Sequence, residues 1–165
     1  MPTKTLYYKK QVPLIFSFDE EELPLVESRG WYAKRNRDTN SYYVNAYSRK
    51  CTPHTIAFHR VIMSALPGQQ VDHIDGNPMN NVKSNLRIVT SQQNACNKAQ
   101  KNKWGKGVRQ QKSGRFQGVI HAGRWPVCIG TFATQEQAQD AYDSIAAEWF
   151  GPFALTNRML KERRR

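Results

Sequence analysis

Asp72 and His73 stand side by side in Val71-Asp72-His73-Ile74-Asp75-Gly76, and Asn94 opens a second polar segment, Asn94-Ala95-Cys96-Asn97. A carboxylate, an imidazole and an amide in this pattern can hold one hard divalent cation beside one general base. Such a pair suits hydrolysis of a phosphodiester. That reaction needs a water made nucleophilic, a stabiliser for the phosphate charge and a stabilised leaving oxygen, and one Mg²⁺ serves the last two. Mg²⁺ prefers oxygen ligands and keeps water or substrate phosphate in several positions, so two protein oxygens are enough, and Asp72 and Asn94 can supply them. His73, with an unperturbed pKa of about 6.5, is largely neutral in mildly alkaline solution and can take a proton from water. Adjacent residues on a regular strand face opposite sides. A shared site for Asp72 and His73 therefore requires a bent or bulged backbone.

The elements that must position these residues are short. Residues 70–74 read as a strand, Asp75-Gly76-Asn77-Pro78 is rich in turn formers, and residues 85–89 read as a second strand. Thr90 or Ser91 can cap a helix running to Ala99, with Thr90 and Gln93 at capping-box spacing. Upstream, residues 1–55 look like β structure. Val12-Pro13-Leu14-Ile15-Phe16 is one apolar run, and Trp31-Tyr32-Ala33 and Tyr42-Tyr43-Val44-Asn45-Ala46-Tyr47 are strand-like around a turn at Asp38-Thr39-Asn40-Ser41. Acidic residues 19–22 read as a helix start or a solvated loop. Ile56, His59, Arg60, Ile62, Met63 and Leu66 have mixed helical spacing that stops at Pro67-Gly68. His59 reads equally as a support for the site and as a core histidine; Asp75 reads as a turn residue; His54 and His121 lack metal-ligand spacing.

After a lysine-rich linker at 99–104 the pattern changes. Residues 107–109, 116–120 and 127–132 read as three strands, with turns at Ser113-Gly114 and Ala122-Gly123. Thr134 caps a helix, with Gln137 at the capping-box position, and Ala138, Ala141, Tyr142, Ile145, Ala146 and Trp149 form an apolar stripe. Gly151-Pro152 stops it. Ala138, Ala141, Tyr142 and Trp149 are expected in the core, and the basic tail 158–165 is expected to fray.

The 165 residues carry a net charge of +12, which favours a polyanionic partner. Residues 1–97 contribute +4 and residues 98–165 contribute +8, and between Lys98 and Arg124 there are eight basic residues and no acidic one. Trp104, Val108, Phe116, Val119, Ile120 and Trp125 interrupt that basic run, as expected for a folded nucleic-acid surface rather than a solvated tail. Cys51, Cys96 and Cys128 are isolated, so neither a structural zinc nor a disulfide framework is expected. No apolar run approaches the roughly 20 residues of a membrane span, and the N-terminus lacks a signal-peptide core. The expected place is the cytoplasm, with no secretion and no membrane partner.

Residues 56–98 resemble the HNH endonuclease family of the phage and mobile-intron type. The matching pattern is His59-Arg60, Val71-Asp72-His73-Ile74-Asp75-Gly76, Asn80-Asn81, Asn85-Leu86-Arg87, Thr90 and Gln93-Asn94. The resemblance implies a ββα-metal fold in which the Asp-His segment is bent. It implies Asp72 and Asn94 as metal ligands, His73 as general base and Asn85 as the residue that pins the loop, with His59 and Arg60 in support. Asn94 stands where other members have His, and a neutral amide is a weaker ligand. Asn97, one helical turn on, is the alternative. Mg²⁺ is the expected metal, with Mn²⁺ as the substitute.

Residues 105–157 resemble the Apetala-two (ethylene-response-factor) DNA-binding domain. The likeness rests on Gly107-Val108-Arg109, Gly114-Arg115-Phe116, Ile129-Gly130-Thr131-Phe132, Thr134, Glu136-Gln137-Ala138, Ala141-Tyr142-Asp143, Ala146-Ala147, Phe150-Gly151 and Leu155-Thr156-Asn157. That family lays a three-stranded sheet in the major groove. Position by position, the likeness implies DNA contacts from Lys106, Arg109, Gln111, Ser113, Arg115 and His121, with Arg124 and Trp125 in the hairpin of the later strands. Ser113 and Cys128 replace family tryptophans, so the plant target sequence does not transfer.

The expectation is an α+β chain with an N-terminal β segment, a central ββα-metal unit and a C-terminal three-stranded antiparallel sheet packed on one helix. Its divisions are 1–98, linker 99–104, 105–157 and tail 158–165. The expected function is metal-dependent hydrolysis of double-stranded DNA. One metal site per chain predicts nicking, and monomer or homodimer is left open. The rival is a DNA-binding regulator with a non-catalytic scaffold; an RNA-binding protein ranks third, because paired single-strand-reading aromatics are lacking.

Overall fold

The computed structural model describes residues 1–9, 11–37, 39–49, 54–98, 102–122 and 125–163. The chain divides into two units, Met1–Thr90 and Ser91–Arg165. In the first, β1 (Thr3–Tyr8) and β2 (Val12–Ser17) form an antiparallel hairpin. A short helix α1 (Leu23–Glu27), with Pro24 in its first turn, leads to β3 (Trp31–Arg35) and β4 (Tyr42–Tyr47). These pair with β5 (Thr55–Ala57) in an antiparallel sheet of order β3-β4-β5. Alternation sends Trp31, Ala33, Val44 and Ala46 into the core and Tyr32, Lys34, Tyr43 and Asn45 to the other face. Phe58 heads α2 (Phe58–Ile62) and centres the core, with the rings of Trp31, Phe16 and Phe18 at 4.8, 5.5 and 6.3 Å. β6 (Gln70–His73) and β7 (Leu86–Val89) then form a two-stranded antiparallel ladder.

The second unit contains α3 (Ser91–Asn97), β8 (Val108–Gln110), β9 (Phe116–Ala122), β10 (Trp125–Phe132), α4 (Gln135–Phe150) and α5 (Asn157–Glu162). The sheet is antiparallel in the order β10-β9-β8, with a register shift between Cys128 and Gly130. Val108 and Ile120 are buried on the face covered by α4, whose Ala138, Tyr142 and Ala146 complete the core. The capping box forms as the spacing predicts. Thr134 Oγ1 accepts from Gln137 N at 3.2 Å, and Gln137 Oε1 accepts from Thr134 N at 3.3 Å.

Two details differ from the sequence reading. Trp149 is 45% exposed, because α4 turns that position away from the sheet. The start of the basic tail is helical: α5 begins at Asn157, where Thr156 Oγ1 accepts from Met159 N. Asn157 is buried and latches the chain ends of this unit. Its Oδ1 accepts from Lys106 N at 2.6 Å, and its Nδ2 donates to Lys106 O at 3.1 Å and to Asp143 Oδ1 at 2.9 Å. Among the described residues no helix is long and apolar enough to cross a membrane.

Beside that latch, Gly107 adopts φ +71°, and a Cβ there would stand 2.0 Å from the Tyr142 ring. Gly107→Ala should lower the unfolding free energy by about 2–3 kcal/mol in urea titrations. Gly118→Ala, where a Cβ meets its nearest neighbour at 3.4 Å, should cost clearly less. Equal losses would show that the close approach to Tyr142 does not matter.

Candidate functional site

Asp72 and His73 are the last two residues of β6 and are 8% and 6% exposed. The ladder is regular through both, with Asp72 opposite Arg87 and His73 opposite Leu86. The expected bulge is absent; the strand instead ends at His73 and turns, with Gly76 N donating to His73 O at 2.9 Å. Arg87 lies across the ladder from Asp72, and its Nε and Nη2 donate to Asp72 Oδ2 at 3.0 and 2.8 Å. This pair is largely buried, so removing one partner leaves an uncompensated charge. Arg87 belongs to the Asn-Leu-Arg motif, and its cross-strand position was readable only once the register was known.

His73 packs among polar rings. Its ring lies 5.1 Å from that of His59 and 6.3 Å from that of Tyr43, and Tyr43 lies 5.9 Å from His59. Fully buried Asn81 holds the remaining side. Asn81 Nδ2 donates to Pro78 O at 3.2 Å, which turns Oδ1 toward His73 Nε2 at 3.4 Å. That orientation matches a proton on Nε2 and assigns the basic lone pair to Nδ1. Burial pushes the His73 pKa below its ordinary value, against the hydrogen bond to Asn81 and the nearby Asp75 and Asp72 carboxylates, which raise it. Burial, with Asp72 as the lesser cause, raises Tyr43. Burial lowers His59 to about 3, helped by His73 and Arg60. Neither Tyr43 nor Asn81 was singled out for a role from sequence, since nothing in their spacing reveals that they converge on His73.

The loop between β6 and β7 is built on Asn85, at the end of a 3-10 turn (Lys83–Asn85). Asn85 Oδ1 accepts from Asp75 N at 3.0 Å, and Nδ2 donates to Asp75 Oδ1 and to Asn80 O, both at 2.9 Å. Asp75 also accepts from Asn77 N at 2.8 Å and from Asn80 Nδ2 at 2.7 Å, so both its oxygens serve the turn. The loop is stitched to the first hairpin as well: Asn81 N donates to Ser17 O, and Ser17 N to Met79 O. Asp19, Glu21 and Glu22 are not merely solvated. Asp19 Oδ2 accepts from Lys83 N, and the two glutamates pair with Lys83 Nζ. The Arg60 guanidinium donates to the carbonyls of Leu66 at 2.9 Å and Gln69 at 2.5 Å and holds the loop before β6.

Asn94 is half-buried on α3 of the second unit, whereas Asp72 and His73 belong to the first. Asn97 on the same helix is buried. In the C-terminal sheet, alternation puts Arg109, Gln117 and His121 on the face opposite α4, and Arg109, Gln117 and Thr131 align across three strands. Arg109 Nε donates to Gln117 Oε1 at 2.7 Å, and Arg115 Nη2 to Thr131 O at 3.3 Å. Gln111 Nε2 donates to Thr131 Oγ1, and Ser113 Oγ to Gln111 Oε1, each at 3.5 Å. His121 is exposed and Trp125 is 71% exposed. Arg124 lies outside the described residues. Lys106 departs from the expected DNA-facing set. It is 4% exposed, its ammonium donates to Cys96 O, and burial lowers it to about 8. Gln117 was missed; the family likeness did not point to it, but its register with Arg109 does.

A family model described as HNH endonuclease matches residues 57–96. An uncharacterized HNH endonuclease of Acanthamoeba polyphaga mimivirus is 33% identical over 141 residues, covering 84% of this chain and 72% of that protein. The chain belongs to the HNH endonuclease family, and so to a family of nucleases. An ethylene-responsive transcription factor of Arabidopsis thaliana is 35% identical over 92 residues, 53% of this chain and 58% of that protein, in keeping with the Apetala-two-like part. No solved structure matches the chain significantly.

His59 supplies a test of the buried ring cluster. The folded state keeps it neutral down to a pH of about 3, while the unfolded chain takes up the proton near 6.5. Between those values the unfolded state binds more protons, so stability falls as pH falls. His59→Leu should remove about 2 kcal/mol of the stability that the wild type loses between pH 7 and pH 5, read from urea midpoints. An identical pH dependence in both proteins would place His59 in contact with solvent.

Proposed function

We propose that the chain is a metal-dependent endonuclease that nicks double-stranded DNA, with the first unit supplying the chemistry and the exposed face of the β8–β10 sheet the grip on DNA. The observation that carries this reading is the His73 imidazole, buried at the end of β6 beside Asp72 and with Nε2 3.4 Å from Asn81 Oδ1. An imidazole in that state is a base at neutral pH. His73 Nδ1 takes the proton of the attacking water, and Asn81 holds the ring while the imidazolium forms. Arg87 fixes the rotamer of Asp72, and Asn85 keeps the loop that carries Asn81 in place.

Among the described residues no three His, Cys, Asp or Glu side chains converge as a metal cage. A buried carboxylate with one oxygen committed to Arg87, helped by an amide carbonyl, suits a hard cation that retains water and substrate phosphate as ligands. Asp72 and Asn94 would hold it, with Mg²⁺ as the resident ion and Mn²⁺ as its substitute. When bound, the ion stabilises charge on the phosphate and on the leaving oxygen. One such site per chain cuts one strand per encounter. The viral relative is consistent with action inside a host cell. The Arg87–Asp72 ion pair also suits a second reading, a DNA-binding regulator that retains the scaffold without the chemistry, and the same experiment decides between them.

His73→Ala should lower the cleavage rate at least about a hundredfold while leaving duplex affinity within about twofold, because a general base acts only in the chemical step. Arg109→Ala with Arg115→Ala should do the converse, weakening binding and making the log–log salt slope shallower by about two. Retention of full cleavage by His73→Ala would overturn the assignment of the base.

A further inference from the structure

The face of the β3-β4-β5 sheet turned away from the core is not flat. It holds a cavity of about 420 Å³ with Lys34 and Arg35 at its rim and Tyr43, Asn45, Ala57 and His59 on its walls and floor. The register accounts for the set. Lys34 is paired with Tyr43 and Asn45 with Ala57, so all four project to one side, and α2 brings His59 against them. Asn45 is buried there, with Nδ2 donating to Tyr43 O at 3.1 Å.

His59 Nδ1 is buried and has no hydrogen-bond partner among the described residues. Positive charge in the cavity comes from exposed Lys34; the Arg35 guanidinium donates to Asn40 Oδ1 at 2.8 Å. Tyr43 and Ala57 add an apolar wall that suits a sugar rather than a bare ion. The cavity also adjoins the proposed base, since His59 and Tyr43 both pack against the His73 ring.

We infer that this cavity is a nucleotide subsite that takes one sugar–phosphate of the substrate strand next to the phosphodiester that is cut. Lys34 meets a phosphate oxygen, and Tyr43 and Ala57 pack on the deoxyribose. The subsite holds the strand so that the adjacent phosphate reaches His73. Its relation to cleavage rests on the His73 reading; binding in the cavity does not.

Thymidine 3′,5′-bisphosphate, a single sugar between two phosphates, is a suitable probe. Titrated into the full chain in EDTA and followed by NMR, it should shift the resonances of Lys34, Tyr43, Asn45 and His59. Lys34→Glu should weaken this binding about tenfold or more, while the charge-matched exposed control Lys9→Glu should leave it within about twofold. Lys34 is exposed, so its replacement does not threaten the fold. Shifts confined to the C-terminal sheet, or equal affinity for wild type and Lys34→Glu, would overturn the inference. If the cavity binds the probe and His73→Ala still cleaves, the subsite stands and the base assignment falls. If His73→Ala is dead and the cavity is silent, the reverse holds.

Discussion

The Asn85 side chain satisfies its amide in three directions at once, toward the Asp75 amide, the Asp75 carboxylate and the Asn80 carbonyl. Those bonds close the segment between β6 and β7 into one shape, with Val82 buried and Met79 packed on the first core. Everything that makes His73 useful follows from that closure. Asn80 and Asn81 reach the first hairpin through Ser17, Asn81 comes beneath the imidazole, and the ring is fixed in one orientation. A loop rich in Gly, Pro and Asn would otherwise sample many conformations, and the entropy of ordering it has to be offset by bonds of this kind.

The electrostatic design follows from the same burial. In a chain of net charge +12, an exposed histidine near bound phosphate would be pulled toward its protonated form. His73 resists because it is withdrawn from water among Tyr43, His59 and Asn81, and desolvation disfavours the imidazolium. Asp72 instead pairs with a guanidinium from the neighbouring strand. Two adjacent residues at the end of one strand therefore meet different surroundings: the carboxylate faces a cation across the ladder, while the imidazole faces polar rings.

Much of this was legible in the chain. Local signals survived folding: the Thr134–Gln137 capping box, most of the apolar face of α4, strands β3 and β4, the strands of the C-terminal sheet and the turn chemistry of Asp75-Gly76-Asn77-Pro78. What stayed hidden was long-range. The first strand has a single buried side chain, Leu6, so its alternation is faint, and it is a strand because β2 pairs with it. Lys106 sits in a basic run and reads as a phosphate contact, but Asn157, far along the chain, pins its backbone and Cys96 receives its ammonium. Tyr43, Asn81 and Arg87 matter through their partners, which only the register and the loop closure bring together. Asn94, named from its residue type as well as from the family likeness, lies in the other unit from Asp72.

The two units differ in what they hold. One buries polar groups around His73, and the other presents Arg109, Gln117 and Thr131 in a row on the sheet face opposite α4. The central claim is that the Asp72–His73 segment cuts DNA with a divalent ion. It is tested most directly by incubating supercoiled plasmid with the full chain in Mg²⁺ or Mn²⁺, with EDTA and the Asp72→Ala variant as controls. The account predicts open-circular product that requires the metal and is lost in the variant. Equal nicking by Asp72→Ala, or by the wild type in EDTA, would contradict it.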